Sequence, residues 1–166
     1  QDLIRRIEHE ELFTADSIAF ADSLRFVTPK GRVVYGGGGI MPDIFVPMSK
    51  EKLPKFFVEV VGRNVLYLYT IDYSDRHRDE LAKIETLADL DALFAGDSRL
   101  VDNFITYAKS KGIEGSAEEI AASRELLERQ LKGYIGRNTT LSDNGFYANV
   151  YPLDDVLMRA IETLSE

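Results

Sequence analysis

The chain has 166 residues, 45% of them apolar, with 28 acidic side chains against 20 basic ones and a net charge of −8. That balance excludes nucleic acid as a main partner, because a phosphate backbone is held by a basic footprint. Cysteine is absent, which excludes disulfides, thiolate zinc sites and a cysteine nucleophile, and no apolar run approaches the roughly 20 residues of a membrane-spanning helix.

Residues 1–10 are charged throughout and do not read as a secretory signal. The first residue is Gln rather than Met, which points to a processed chain or a piece of a longer one. From position 2 to 13, Leu3, Ile4, Ile7 and Leu12 predict a short helix. Residues 14–23 read as a polar turn region. "LRFV" at 24–27 and "RVVY" at 32–35 are strand candidates, and the "TPKG" between them is a turn in which Pro29 sets one φ and Gly31 permits a positive one. Together they predict a hairpin. "DIFV" at 43–46 predicts a third strand, ended by Pro47.

Helical periodicity dominates residues 50–166. Leu53, Phe56, Phe57, Val60 and Val61 form one stripe over residues 50–62. "NVLYLYTIDY" at 64–73 is ambiguous, since its composition favours a strand and its position between two helical patterns favours a helix. Asp97 is placed to cap a helix carrying Leu100, Val101, Phe104, Ile105 and Ala108, with Gly112 closing it. Ser116 and Glu119 predict a capping box for a helix with Ile120, Leu127, Leu131, Tyr134 and Ile135 on one side. Pro152 suits a first helical turn, and Leu153, Val156, Leu157, Ala160, Ile161 and Leu164 predict a last amphipathic helix. The expected fold class is α+β, mostly α, with a small β segment in residues 1–48 and a helical domain in residues 49–166.

The chemistry-bearing signals are sparse. Gly36 to Gly39 lack the Lys-Ser/Thr of a P-loop, because Ile40, Met41 and Pro42 come next. A dinucleotide fingerprint needs a third glycine at position 41 and a helix after it, and the chain has Met41 and a strand candidate there. No cofactor is expected. The two histidines, His9 and His77, have no second histidine one helical turn away, so no helical metal pair exists and both read as solvated helix-face residues. The aromatic run "YLYTIDY" reads as core packing, with ligand stacking as the alternative.

The stretch "TPKGRVVYGGGGIMPDIFVP" at 28–47 resembles the end of the catalytic domain in the carboxyl-terminal processing peptidases, or tail-specific proteases. The resemblance rests on Thr28, Pro29, Gly31, Arg32, Gly37, Gly39, Ile40, Pro42 and Asp43, matched in order. It is similar to a branch of that family in Bacteroides-type bacteria, where the upstream segment resembles "HEELFTADSIAFADSLRF" at 9–26 and a helical extension resembles residues 50–166. The resemblance implies a hydrolase, a serine endopeptidase with a Ser nucleophile and a Lys general base. Both of those residues, and a PDZ-like domain, are expected upstream, so this chain contains no catalytic residue and is expected to be inactive alone. It implies the remainder of the protease domain as partner, protein or peptide substrates through the parent, and the periplasm or cell envelope as location. It also favours a helix at 64–73. Strands cut from a larger sheet have bare edges, which predicts a homodimer through residues 24–46. The alternative is a non-catalytic helical interaction module, and a small-molecule binder built on the aromatic run is a third reading.

Overall fold

The structure is a computed structural model, and it describes residues 4, 10, 12–14, 24–36, 44–97 and 99–165. The protein is α+β and mostly α, with one two-stranded antiparallel sheet and eight α-helices among the described residues. The chain divides into two compact units, Gln1–Glu51 and Lys52–Glu166.

In the first unit, β1 (Arg25–Val27) pairs with β2 (Val33–Tyr35) in the register Arg25 with Tyr35, Phe26 with Val34 and Val27 with Val33. The turn residues make this register. Gly31 N–H donates to the Thr28 carbonyl at 2.8 Å, Gly31 takes φ +79°, and Thr28 N–H donates to the Arg32 carbonyl at 2.8 Å. A tight turn followed by one left-handed residue is the three-residue hairpin loop with a bulge, and Gly adopts that φ at no steric cost.

Two expectations for this unit need correction. The helix over 2–13 does not run to Phe13: Glu10 takes φ +58°, and Phe13 and Thr14 N–H both bond back to its carbonyl in a turn. A non-glycine residue in the left-handed region ends a helix. The third strand is also absent over Ile44, Phe45 and Val46, where the backbone forms no ladder. Just beyond it, Met48 N–H donates to the Leu12 carbonyl at 2.8 Å, so the segment bonds to a turn rather than to a strand. Most of the polar turn region at 14–23 lies outside the described residues.

The second unit is helical: α1 (Lys55–Gly62), α2 (Val65–Arg76), α3 (Arg78–Leu81), α4 (Leu87–Gly96), α5 (Leu100–Ser110), α6 (Ala117–Arg137), α7 (Asp143–Val150) and, after a 3₁₀ turn (Tyr151–Leu153), α8 (Asp155–Ser165). Helix α6 is the axis. Leu127, Leu131 and Ile135 recur every fourth residue on one of its faces and are fully buried with Phe104 of α5 and Val60 of α1. At its start Ser116 Oγ accepts from Glu119 N–H at 3.2 Å while the Glu119 carboxylate accepts from Ser116 N–H at 3.1 Å, the expected capping box.

The ambiguous stretch at 64–73 is helical. Val65, Leu66, Tyr69, Thr70 and Tyr73 are buried, a spacing of three to four residues that makes one stripe, while Tyr67, Leu68 and Ile71 face outward. Packing along that stripe overrides the strand-like composition. Leu53 precedes α1 and is exposed, and Val61 is exposed too, so the α1 stripe is Phe56, Phe57 and Val60. The cap of α5 is Arg99 rather than Asp97; Asp97 instead accepts Arg99 N–H on Oδ1 at 3.3 Å. Gly112 closes α5 as expected. With φ +75° it donates to the Lys109 carbonyl, and Ile113 N–H reaches back to the Ala108 carbonyl, both at 3.0 Å. That pair of bonds is the Schellman arrangement, and Ile113 and Ala108 are buried at its side. Pro152 lies in the 3₁₀ turn ahead of the last helix, which Asp154 caps through Leu157 N–H at 3.0 Å.

Candidate functional site

The sequence motif belongs to the first unit, and a large cleft belongs to the helical one. Of the nine motif positions, Thr28, Pro29, Gly31 and Arg32 form the hairpin loop, where Thr28 Oγ1 also accepts Arg32 N–H at 3.1 Å. Gly37, Gly39, Ile40, Pro42 and Asp43 lie outside the described residues, as does His9. The hairpin is apolar on both faces. Phe26 and Val34 share one face and Val27 and Val33 the other, with Phe26 57% and Val27 58% exposed.

A cleft of about 810 Å³ opens in the helical unit among α2, α3, α4 and α5. Helix α2 contributes Tyr69, Tyr73 and Arg76, and His77 follows it; α3 adds Glu80, α4 adds Leu93, and α5 adds Asn103 and Tyr107. Asp97 and Arg99, between α4 and α5, complete one wall. These residues meet because the buried stripe of α2 ends at Tyr73, where the core gives way to solvent.

Tyr73 is the centre of the site's polar network. Its hydroxyl donates to Asp97 Oδ2 at 3.3 Å, and its ring stacks on the His77 imidazole at 4.0 Å and 17°. His77 Nδ1 lies 2.9 Å from the Tyr73 carbonyl, so that nitrogen carries the proton and Nε2 is the free ring nitrogen. His77 is therefore a partly buried lining residue, not a solvated helix-face one. Burial pushes the Tyr73 hydroxyl pKa well up, and the Asp97 carboxylate adds to this; burial raises Tyr69 likewise. Both hydroxyls stay protonated at neutral pH, so they act as hydrogen-bond donors and not as bases. Tyr69 packs edge-on against Phe104, with ring centroids 5.4 Å apart, and tilts against Tyr107 at 5.2 Å. The aromatic run thus supplies both core and cleft wall.

The Ser110 hydroxyl, also at the cleft, donates to the Tyr107 carbonyl at 2.7 Å, an ordinary helix bond and not a pairing with a base. No group of three or more His, Asp or Glu side chains is arranged to hold a metal ion among the described residues. Sequence reasoning missed this cleft because its lining comes from four helices and the link between α4 and α5, residues that no local pattern joins. A local signal for α4 did exist: Thr86 and Asp89 form a capping box, with Asp89 N–H on Thr86 Oγ1 at 3.2 Å and Thr86 N–H on Asp89 Oδ2 at 2.8 Å.

A family model described as a family of unknown function (DUF8443) matches residues 56–140, slightly more than half of the chain. The chain belongs to this family. The DUF8443 match runs from α1 through the end of α6, so it contains every residue of the cleft and none of the hairpin. No curated protein and no solved structure matches the chain. No described helix is long and apolar enough to cross a membrane.

Proposed function

We propose that this chain is the carboxyl-terminal part of a Ser/Lys serine endopeptidase that processes proteins at or near their C-termini. The observation that carries the reading is the ordered match of nine positions from Thr28 to Asp43. The hairpin supports it physically. A two-stranded ribbon is marginal alone, and strands apolar on both faces suit the interior of a sheet covered on both sides. Phe26, Val27, Val33 and Val34 have that character and are all exposed. In this reading the remainder of the protease domain supplies the missing strands, the Ser, the Lys and the PDZ-like segment. The helical unit is then structural or regulatory, and the parent works on protein or peptide substrates in the periplasm or cell envelope.

The test is the gene sequence upstream of the Gln1 codon. An export signal, a PDZ-like segment and a Ser/Lys pair in that order are expected. A start codon immediately ahead of Gln1, or an unrelated domain, overturns the reading. A second reading, a non-catalytic helical interaction module, is favoured by α8, whose Val156, Ile161 and Leu164 side chains are exposed on a helix that buries no residue. The same upstream sequence separates the two.

A further inference from the structure

From the geometry of the cleft we infer that the helical unit binds a carboxylate carried on an apolar or aromatic body, with Arg99 and the Tyr69 hydroxyl as its principal donors. This inference does not depend on the peptidase reading, because the cleft lies wholly within Lys52–Glu166.

Tyr69 is the first observation. It is only 4% exposed, lines the cleft, and its hydroxyl makes no hydrogen bond among the described residues. The ring is buried while the hydroxyl opens into the cleft, so a ligand oxygen can take the place of water as its partner. The second is Arg99. Its guanidinium makes no ion pair among the described residues, whereas Arg76 across the cleft is engaged with Asp72, donating from Nε to its carbonyl at 3.1 Å. The Asn103 side chain, one turn into α5, is likewise without a partner among the described residues. A guanidinium presents a planar fork that matches a carboxylate, and an 11-residue helix that starts beside it favours negative charge at that end.

The cleft also decides between anions. Glu80 and Asp97 line it with Arg76 and Arg99, so two acidic groups oppose two basic ones. With Arg76 engaged by Asp72, the Arg99 guanidinium matches the single charge of a carboxylate and neutralises only half of a doubly charged phosphate. Tyr107, the Tyr69 edge and Leu93 give the apolar wall that a hydrocarbon or aromatic body would cover.

Titration calorimetry of the full chain at pH 7 and low salt tests this with acetyl-Phe-Leu as the free acid, its carboxamide, phenylacetate and inorganic phosphate. The free acid should bind saturably, with the carboxamide about tenfold or more weaker, as loss of a charge-assisted hydrogen bond requires. Arg99→Gln, an exposed position, should weaken the acid by a similar factor with an unchanged melting temperature. Tyr69→Phe should weaken it several-fold. Tighter binding of the dipeptide acid than of phenylacetate makes a peptide end the source, and the reverse order makes it a free small acid. Equal binding of acid and amide, tighter binding of phosphate, no effect of Arg99→Gln, or no saturation at about 10 mM overturns the inference.

Discussion

Two glycines show how much one methyl group decides. At Gly136 of α6 an added Cβ would sit 2.7 Å from the Gly145 carbonyl oxygen and 2.9 Å from Leu90 Cδ2, and at Gly145 of α7 it would sit 2.5 Å from the Gly136 carbonyl oxygen. The two helices cross backbone to backbone there. Gly136→Ala should therefore lower stability by about 1–3 kcal/mol through overpacking, even though Ala is the better helix former. Gly62 is the control, because at the end of α1 a Cβ meets nothing within 4 Å. There Gly62→Ala should raise stability by roughly 0.5–1 kcal/mol, and urea melts of both variants check the contrast. Asp89 gives a pH prediction. Hydrogen bonds from the Thr86 hydroxyl and from Thr86 and Glu85 N–H hold its carboxyl below the usual range. A depressed folded pKa contributes stability above the unfolded value of about 3.9 and loses it as pH falls through the lower folded value. Asp89→Asn should therefore melt below the wild type at neutral pH, and the two melting curves should converge on acidification. Neither the glycine crossing nor the cap at Thr86 stood out in the sequence, the first because its cause is a neighbour on another helix.

Elements differ in how far their own sequence explains them. The α6 capping box and the Gly112 closure of α5 were legible, because caps are local hydrogen bonds between residues a few positions apart. Helix α2 was legible only in part. Its aromatic and β-branched composition suits a strand, and the spacing of Val65, Leu66, Tyr69, Thr70 and Tyr73 shows its use as a helix once α5 and α6 are packed on it. Helix α8 is the opposite case. Its amphipathic pattern was clear, yet Leu164 is 88% exposed and no α8 residue is buried. Deleting residues 155–166 should thus shift the melting temperature by less than about 2 °C, since little apolar area is returned to water. A drop of about 8 °C or more in differential scanning calorimetry would show that α8 is covered in solution.

For the whole molecule, the division into Gln1–Glu51 and Lys52–Glu166 sets the expectation. The helical unit owns the hydrophobic core of Phe56, Tyr69, Phe104, Leu127 and Leu131 and should melt cooperatively when residues 52–166 are expressed alone. Among the described residues the hairpin has no such core. Its strand edges and bare apolar faces predict that the full chain associates into a dimer that residues 52–166 cannot form. Light scattering of both proteins at high concentration checks this, and a strictly monomeric full chain counts against it.

The sequence by itself determined the α+β, mostly helical class, the hairpin with its Thr28–Gly31 turn, and the helix boundaries that caps and glycines mark. These depend on bonds and dihedral preferences within a few residues. The tertiary structure alone decided that α6 and α7 touch through glycines and that Tyr69, Tyr73, Asp97 and Arg99 share one cleft, and it resolved the ambiguous composition of α2 in favour of a helix. Those outcomes depend on contacts between residues far apart in the chain, and no local pattern encodes which side chains will face each other across a space.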